Sequence, residues 1–162
     1  MVKLYNKVKI VARKLIKETE APIKLNPILD DLNVVKLECK FEKEGALLYR
    51  DAEDKIILVN KNQPLGQKRF NIAHEIGHLA LNHKGIIMQS SSHPLKQNKS
   101  KKEKEADVFA SELLIPSTCL KREAFKCQFD VQQLKKKFKV SEKAMVVKMK
   151  ILDLPCKNTQ YE

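Results

Sequence analysis

Leu4, Val8, Val11, Ala12, Leu15 and Ile16 recur at helical spacing across residues 4–17, while Lys3, Lys7, Lys9, Arg13 and Lys14 fall mostly elsewhere on the cylinder. An amphipathic first helix is expected. Asn26-Pro27 offers a cap followed by proline at the first helical position, opening a short helix through Leu32. Three strand candidates follow, Val34–Phe41, Ala46–Arg50 and Lys55–Asn60, separated by the turn material Lys43-Glu44-Gly45 and Asp51-Ala52-Glu53-Asp54. They are expected to form a small antiparallel meander. Helical periodicity resumes from Lys68 to Asn82, and the polar stretch Gln89–Lys102, with Ser90-Ser91-Ser92 and Pro94, reads as a loop. A further helix is expected from Lys102 to Ile115. It stops at Pro116, after which Ser117-Thr118 can cap another. Val131–Phe138 and Ser141–Leu152 complete the helical pattern.

The order helices, strands, helices predicts an α+β fold with a small sheet and a helical C-terminal part. A length of 162 residues and 43% hydrophobic content suit a single domain over residues 1–162. Its parts would be N-terminal helices (1–33), the meander (34–60), a helix–loop–helix stretch (68–116) and a basic helical tail (117–155). The longest apolar runs resemble Ile56-Ile57-Leu58-Val59, far short of the roughly 20 residues of a membrane span, and no apolar signal block opens the chain. A cytoplasmic protein with no membrane partner is expected. Cys39, Cys119, Cys127 and Cys156 show no C-x-x-C spacing and read as thiols. Charge adds one feature to this picture. The formal net charge is +12, and residues 119–150 hold ten basic and three acidic side chains. An acidic partner could dock there, and Lys135, Lys136 and Lys137 are the candidate contact residues.

Candidate chemistry sits in His74-Glu75-Ile76-Gly77-His78, an H-E-x-x-H pattern inside a predicted helix. At about 100° per residue, His78 lies roughly 40° around the axis from His74 and one turn above it, so both imidazoles can reach one zinc ion. Glu75, about 100° away, can address a water at the metal without being a ligand. With four His and thirteen Glu in the chain, chance supplies about 0.01 such patterns. The same helix is apolar almost all round, and only Asn71, His74, Glu75, His78 and Asn82 form a polar wedge. Burying such a wedge is costly unless it has a role.

A catalytic zinc keeps three protein ligands, so a third is needed. His83 falls about 180° around the helix from His74, and His93 sits in the Ser/Pro loop. In the next helix the apolar stripe is Ala106, Phe109, Ala110, Leu113 and Leu114. Glu103 and Asp107 border that stripe, whereas Glu105 and Glu112, at about 200° and 180° from Glu103, are expected to face away. Glu103 is therefore the expected third ligand. Asp107, one turn on, is placed to accept the free N–H of a ligand histidine. Tyr49, Arg50 and His83 are candidates by residue type alone for stabilising an oxyanion.

Arg69-Phe70-Asn71-Ile72-Ala73-His74-Glu75-Ile76-Gly77-His78 and Glu103-Lys104-Glu105-Ala106-Asp107-Val108-Phe109-Ala110-Ser111-Glu112-Leu113-Leu114-Ile115-Pro116 resemble, in order and separation, the two signature blocks of the ImmA/IrrE family of metallopeptidases. Leu25–Val35 and Phe138–Ala144 are similar to the family's flanks. The resemblance implies a zincin-like fold, one zinc ion held by His74, His78 and Glu103, and Glu75 as general base. It also implies limited proteolysis of a helix-turn-helix transcriptional repressor that controls a mobile element or a stress response. No helix-turn-helix unit precedes the motif here, so such a substrate is expected to be a separate chain. The alternative from another class is a nucleic-acid-binding regulator with a structural or vestigial metal. Leu134–Ser141 followed by Glu142–Leu152 has the look of two helices joined by a tight turn and is strongly basic, which would bring DNA close to the tail.

Overall fold

Ile56-Ile57-Leu58-Val59 is apolar without interruption, a pattern suited to a strand enclosed by neighbours. In a computed structural model of the chain, which describes residues 2–42, 45–83, 88–90 and 100–161, it lies in the interior of the sheet. The elements are α1 (Val2–Lys14), α2 (Asn26–Asp31), β1 (Val35–Cys39), β2 (Ala46–Arg50), β3 (Lys55–Asn60), α3 (Leu65–Ala80), β4 (Met88–Ser90), α4 (Lys101–Leu114), α5 (Ser117–Lys126), α6 (Val131–Phe138) and α7 (Glu142–Ile151). The architecture is α+β.

The sheet is mixed, with strand order β1-β3-β2-β4, and this corrects the expected antiparallel meander. β2 and β3 do form a hairpin, Leu48 opposite Ile57 and Ala46 opposite Val59. Asp51 closes its turn by accepting the Glu53 and Asp54 amides at 2.9 and 2.7 Å. β1, however, runs parallel to β3, with Leu37 opposite Leu58. Strand periodicity marks faces and says nothing about which neighbour a strand takes. Crossing to the far side of β3 lets the most apolar strand be flanked on both edges. The segment read as a loop from Gln89 begins instead in β4, which pairs antiparallel with β2.

Ala46, Leu48, Ile57 and Val59 line one sheet face, and all are buried. α3 packs across that face and against α4, which in turn packs on α1. The expected helix caps differ in detail. Asn26 lies inside α2 and makes no side-chain cap. Ser117 begins α5 but its hydroxyl donates to Glu112 Oε2 at 2.8 Å instead of capping. One continuous set of buried residues runs from Val8 in α1 to Met149 in α7. Among the described residues, no helix is long and apolar enough to cross a membrane.

Candidate metal centre

α3 is buried on nearly every side: Asn71 through His78 are all buried. Helix α4 approaches it closely because residue 77 is glycine. A Cβ there would lie 3.0 Å from Phe109 Cδ1 and 3.2 Å from Phe109 Cβ, so any larger residue would force the helices apart. The first turn of α4 is held by Ser100, whose Oγ accepts the Glu103 amide at 3.3 Å. That turn carries Glu103 over the two histidines of α3.

His74 Nε2 and His78 Nε2 lie 3.0 Å apart. Glu103 completes the triangle, Oε2 at 3.3 Å from His74 Nε2 and Oε1 at 3.2 Å from His78 Nε2. Metal–nitrogen bonds of about 2.0–2.1 Å in tetrahedral geometry put ligand atoms about 3.3 Å apart, so the three atoms have the spacing of one tetrahedral face. Glu103 Oε1 is buried without a hydrogen-bond partner, and the two Nε2 atoms face each other. Two imidazoles and a carboxylate within reach of one another are a donor set that could hold a divalent cation.

Electrostatics point the same way. Burial works against a charged His74, but the hydrogen bonds to Asp107 and Glu103 and the charge of Glu75 outweigh it, and the imidazole is raised to about 9. Burial disfavours an ionised Glu103, yet its contacts with the two imidazoles hold it well below the usual carboxylate range. The cluster therefore attracts positive charge. Glu75, 1% exposed, stands next to His74 on the same helix.

Asp107 sits where the helical phase put it, Oδ1 at 3.0 Å from His74 Nδ1. It borders a cavity of about 650 Å³ lined also by Phe70, Val140 and Val147, which accounts for its partial exposure. Two expectations for α4 are corrected. Glu105 does not face away: its Oε2 lies 3.1 Å from His83 Nε2. Glu112 is 0% exposed and accepts Arg13 Nε at 2.7 Å, Lys148 Nζ at 2.6 Å and the Ser117 amide at 3.2 Å. Burial would raise the Glu112 carboxyl, but the Lys148, Ser117 and Arg13 contacts lower it on balance. Burial lowers the Lys148 ammonium.

His83 is likewise not turned away. It is buried, with Nδ1 at 2.9 Å from His78 Nδ1. Continuing the α3 phase misplaces it because α3 ends at Ala80 and Asn82 takes a left-handed φ of 50°. Asn82 after the last apolar residues was the available signal. Arg50 donates to the His83 carbonyl at 2.8 Å, and Tyr49 donates to exposed Asp51, so neither is placed at the histidine–carboxylate cluster by these contacts. His93 lies outside the described residues. In the tail, Lys135 pairs with Glu142 at 2.9 Å and Lys137 with Glu123, while Lys136 is exposed.

Residues 29–150 match the Peptidase_M78 family, described as the IrrE N-terminal-like domain. The chain is 31% identical over 114 residues to a protein of Bacillus phage phi105 named "Uncharacterized immunity region protein 2", covering 69% of this chain and 70% of the phage protein. Its fold is similar to a Mycobacterium tuberculosis transcriptional regulator, with a TM-score of 0.61 at 13% identity over 96% of this chain. It spans 48% of that regulator's length. With the family match covering most of its length, the chain belongs to the ImmA/IrrE metallopeptidases, the Peptidase_M78 family.

Proposed function

We propose that the chain is a zinc-dependent endopeptidase that cleaves a helix-turn-helix transcriptional repressor and so derepresses genes of a mobile element or a stress response. The observation that carries the reading is the convergence of His74, His78 and Glu103 beside a buried glutamate on the ligand helix. Bound by those three residues, zinc would supply Lewis acidity toward the scissile carbonyl and the attacking water. Glu75 is the assigned general base: its carboxylate takes a proton from the water as the oxygen attacks the carbonyl carbon. It returns the proton to the amine nitrogen as the C–N bond breaks. Asp107 accepts the His74 Nδ1–H and leaves Nε2 as the ligand atom. Similarity to a protein of a phage immunity region supports a repressor as substrate.

The test is Glu75→Gln assayed on the repressor encoded beside this chain, with zinc measured by elemental analysis. Metal content is expected to stay at wild-type level while turnover falls by about 10²–10⁴-fold, the usual contribution of a general base. Normal cleavage would remove Glu75 from the mechanism. The alternative, a DNA-binding regulator with a vestigial metal, draws on the basic α6–α7 unit and its three-residue turn. It predicts operator retention that survives metal removal, with no loss of repressor.

A further inference from the structure

Helix α3 closes in a Schellman motif. The Asn82 amide bonds the Leu79 carbonyl at 3.0 Å, and the His83 amide bonds the His78 carbonyl at 3.0 Å. This cap folds the residue after the left-handed position back over the final turn, a contact that is ordinarily apolar. Here it lays one imidazole against another, with ring centroids of His78 and His83 5.0 Å apart and their Nδ1 atoms at 2.9 Å. The far nitrogen of His83 reaches Glu105 Oε2 at 3.1 Å. The Arg50 guanidinium fixes the His83 backbone through its carbonyl at 2.8 Å.

Two ring nitrogens at this distance form a stable contact only with one proton between them. Two lone pairs repel, and two N–H groups collide. The Glu105 carboxylate only accepts, so the proton of neutral His83 lies on Nε2 and its Nδ1 presents a lone pair. His78 then donates from Nδ1, and its own Nε2 lone pair faces His74 and Glu103. We propose that His83 and Glu105 are positioning residues that lock His78 in the tautomer offering Nε2 to the metal. The proposal rests on the reading of His74, His78 and Glu103 as metal ligands.

Chelator competition with zinc on the full chain tests it, comparing wild type, His83→Phe, His83→Asn, Glu105→Ala and His78→Ala. Folding of each metal-free protein is followed by circular dichroism. His83→Phe keeps an apolar cap contact and removes the acceptor, and is expected to weaken zinc binding by about 10- to 100-fold, the usual effect of losing a ligand-orienting partner. Glu105→Ala should weaken it in the same direction. His83→Asn can return an acceptor oxygen near the lost Nδ1 and should lie within a few fold of wild type. In the zinc-loaded wild type, the ¹⁵N shifts of His78 should report Nδ1–H with Nε2 coordinated. Equal zinc binding by wild type and His83→Phe would overturn the pair, as would His83→Asn as weak as His83→Phe or coordination through His78 Nδ1. Should His83→Phe not fold, Glu105→Ala and the nitrogen shifts decide. Zinc retained by His78→Ala would instead overturn the metal site itself, whereas zinc lost there but kept by His83→Phe would overturn the positioning pair alone.

Discussion

His74 carries the sharpest consequence at the scale of single residues. Without metal its imidazole titrates at about 9, above the ordinary 6.5. A folded-state value above the unfolded one means that protonation stabilises the fold. This contribution is complete below about 6.5 and is lost as pH rises through about 9. A metal competes for the same lone pair, so its affinity moves in the opposite direction across that window. Thermal unfolding of chelator-treated protein should therefore show a falling Tm between pH 7 and 9 that His74→Gln lacks, while zinc affinity of the wild type rises. A flat wild-type profile would contradict the burial and hydrogen bonding assigned to His74. Glu103→Ala should abolish zinc retention, a larger loss than Glu105→Ala causes, because only Glu103 brings oxygens to both Nε2 atoms.

Elements are joined by two unlike devices. Gly77 sets the distance between α3 and α4, and Gly77→Ala inserts a methyl 3.0 Å from the Phe109 ring. Overpacking of this kind costs about 1–3 kcal/mol and would also lift Glu103 away from the histidines. Urea unfolding and chelator competition should both register it, and a change in stability with unchanged zinc affinity would show that α4 relaxes elsewhere. Glu112 joins α1, α4, α5 and α7 through Arg13, Ser117 and Lys148. Removing one member of a buried pair leaves an uncompensated charge, so Glu112→Ala is expected to cost about 3–5 kcal/mol by denaturant unfolding. Replacing Glu112 and Lys148 together by leucine and methionine should recover much of that, since two apolar residues of similar volume leave no buried charge.

For the whole molecule, the net charge of +12 does not by itself say which basic side chains are free to meet a partner. Lys137, Lys126 and Arg122 converge on Glu123, whose carboxyl is held at about 2 by the Lys137, Lys126 and Arg122 contacts, and Lys135 is taken by Glu142. Substrate attraction through the tail should then depend on Lys136 and Lys139, both exposed, more than on Lys135 or Lys137. Lys136→Ala/Lys139→Ala is expected to weaken repressor association and flatten its salt dependence, with zinc content unchanged. Lys135→Ala and Lys137→Ala should act mainly on thermal stability. Identical salt profiles for wild type and Lys136→Ala/Lys139→Ala would leave the tail as a packing element.

Period 3.6 in α3 and α4, the spacing of His74, Glu75 and His78, and the phase of Glu103 and Asp107 against the apolar stripe were legible in the sequence, because positions within one helix share a fixed geometry. Family membership was legible for the same reason, in two contiguous blocks. Sheet order was not. β1 and β2 both pair with β3, and alternation along a strand marks its faces without naming its neighbour. His83 escaped helical arithmetic because one left-handed residue, Asn82, ends the α3 phase and turns the chain back, and Glu105 was missed because that turn brings His83 against its face of α4. Glu112 looked outward because its partners Arg13 and Lys148 lie 99 and 36 residues away. Only packing of α1 and α7 against α4 makes a carboxylate on the apparent outer face of α4 an interior group, since burial is a property of what surrounds a helix and not of the helix itself.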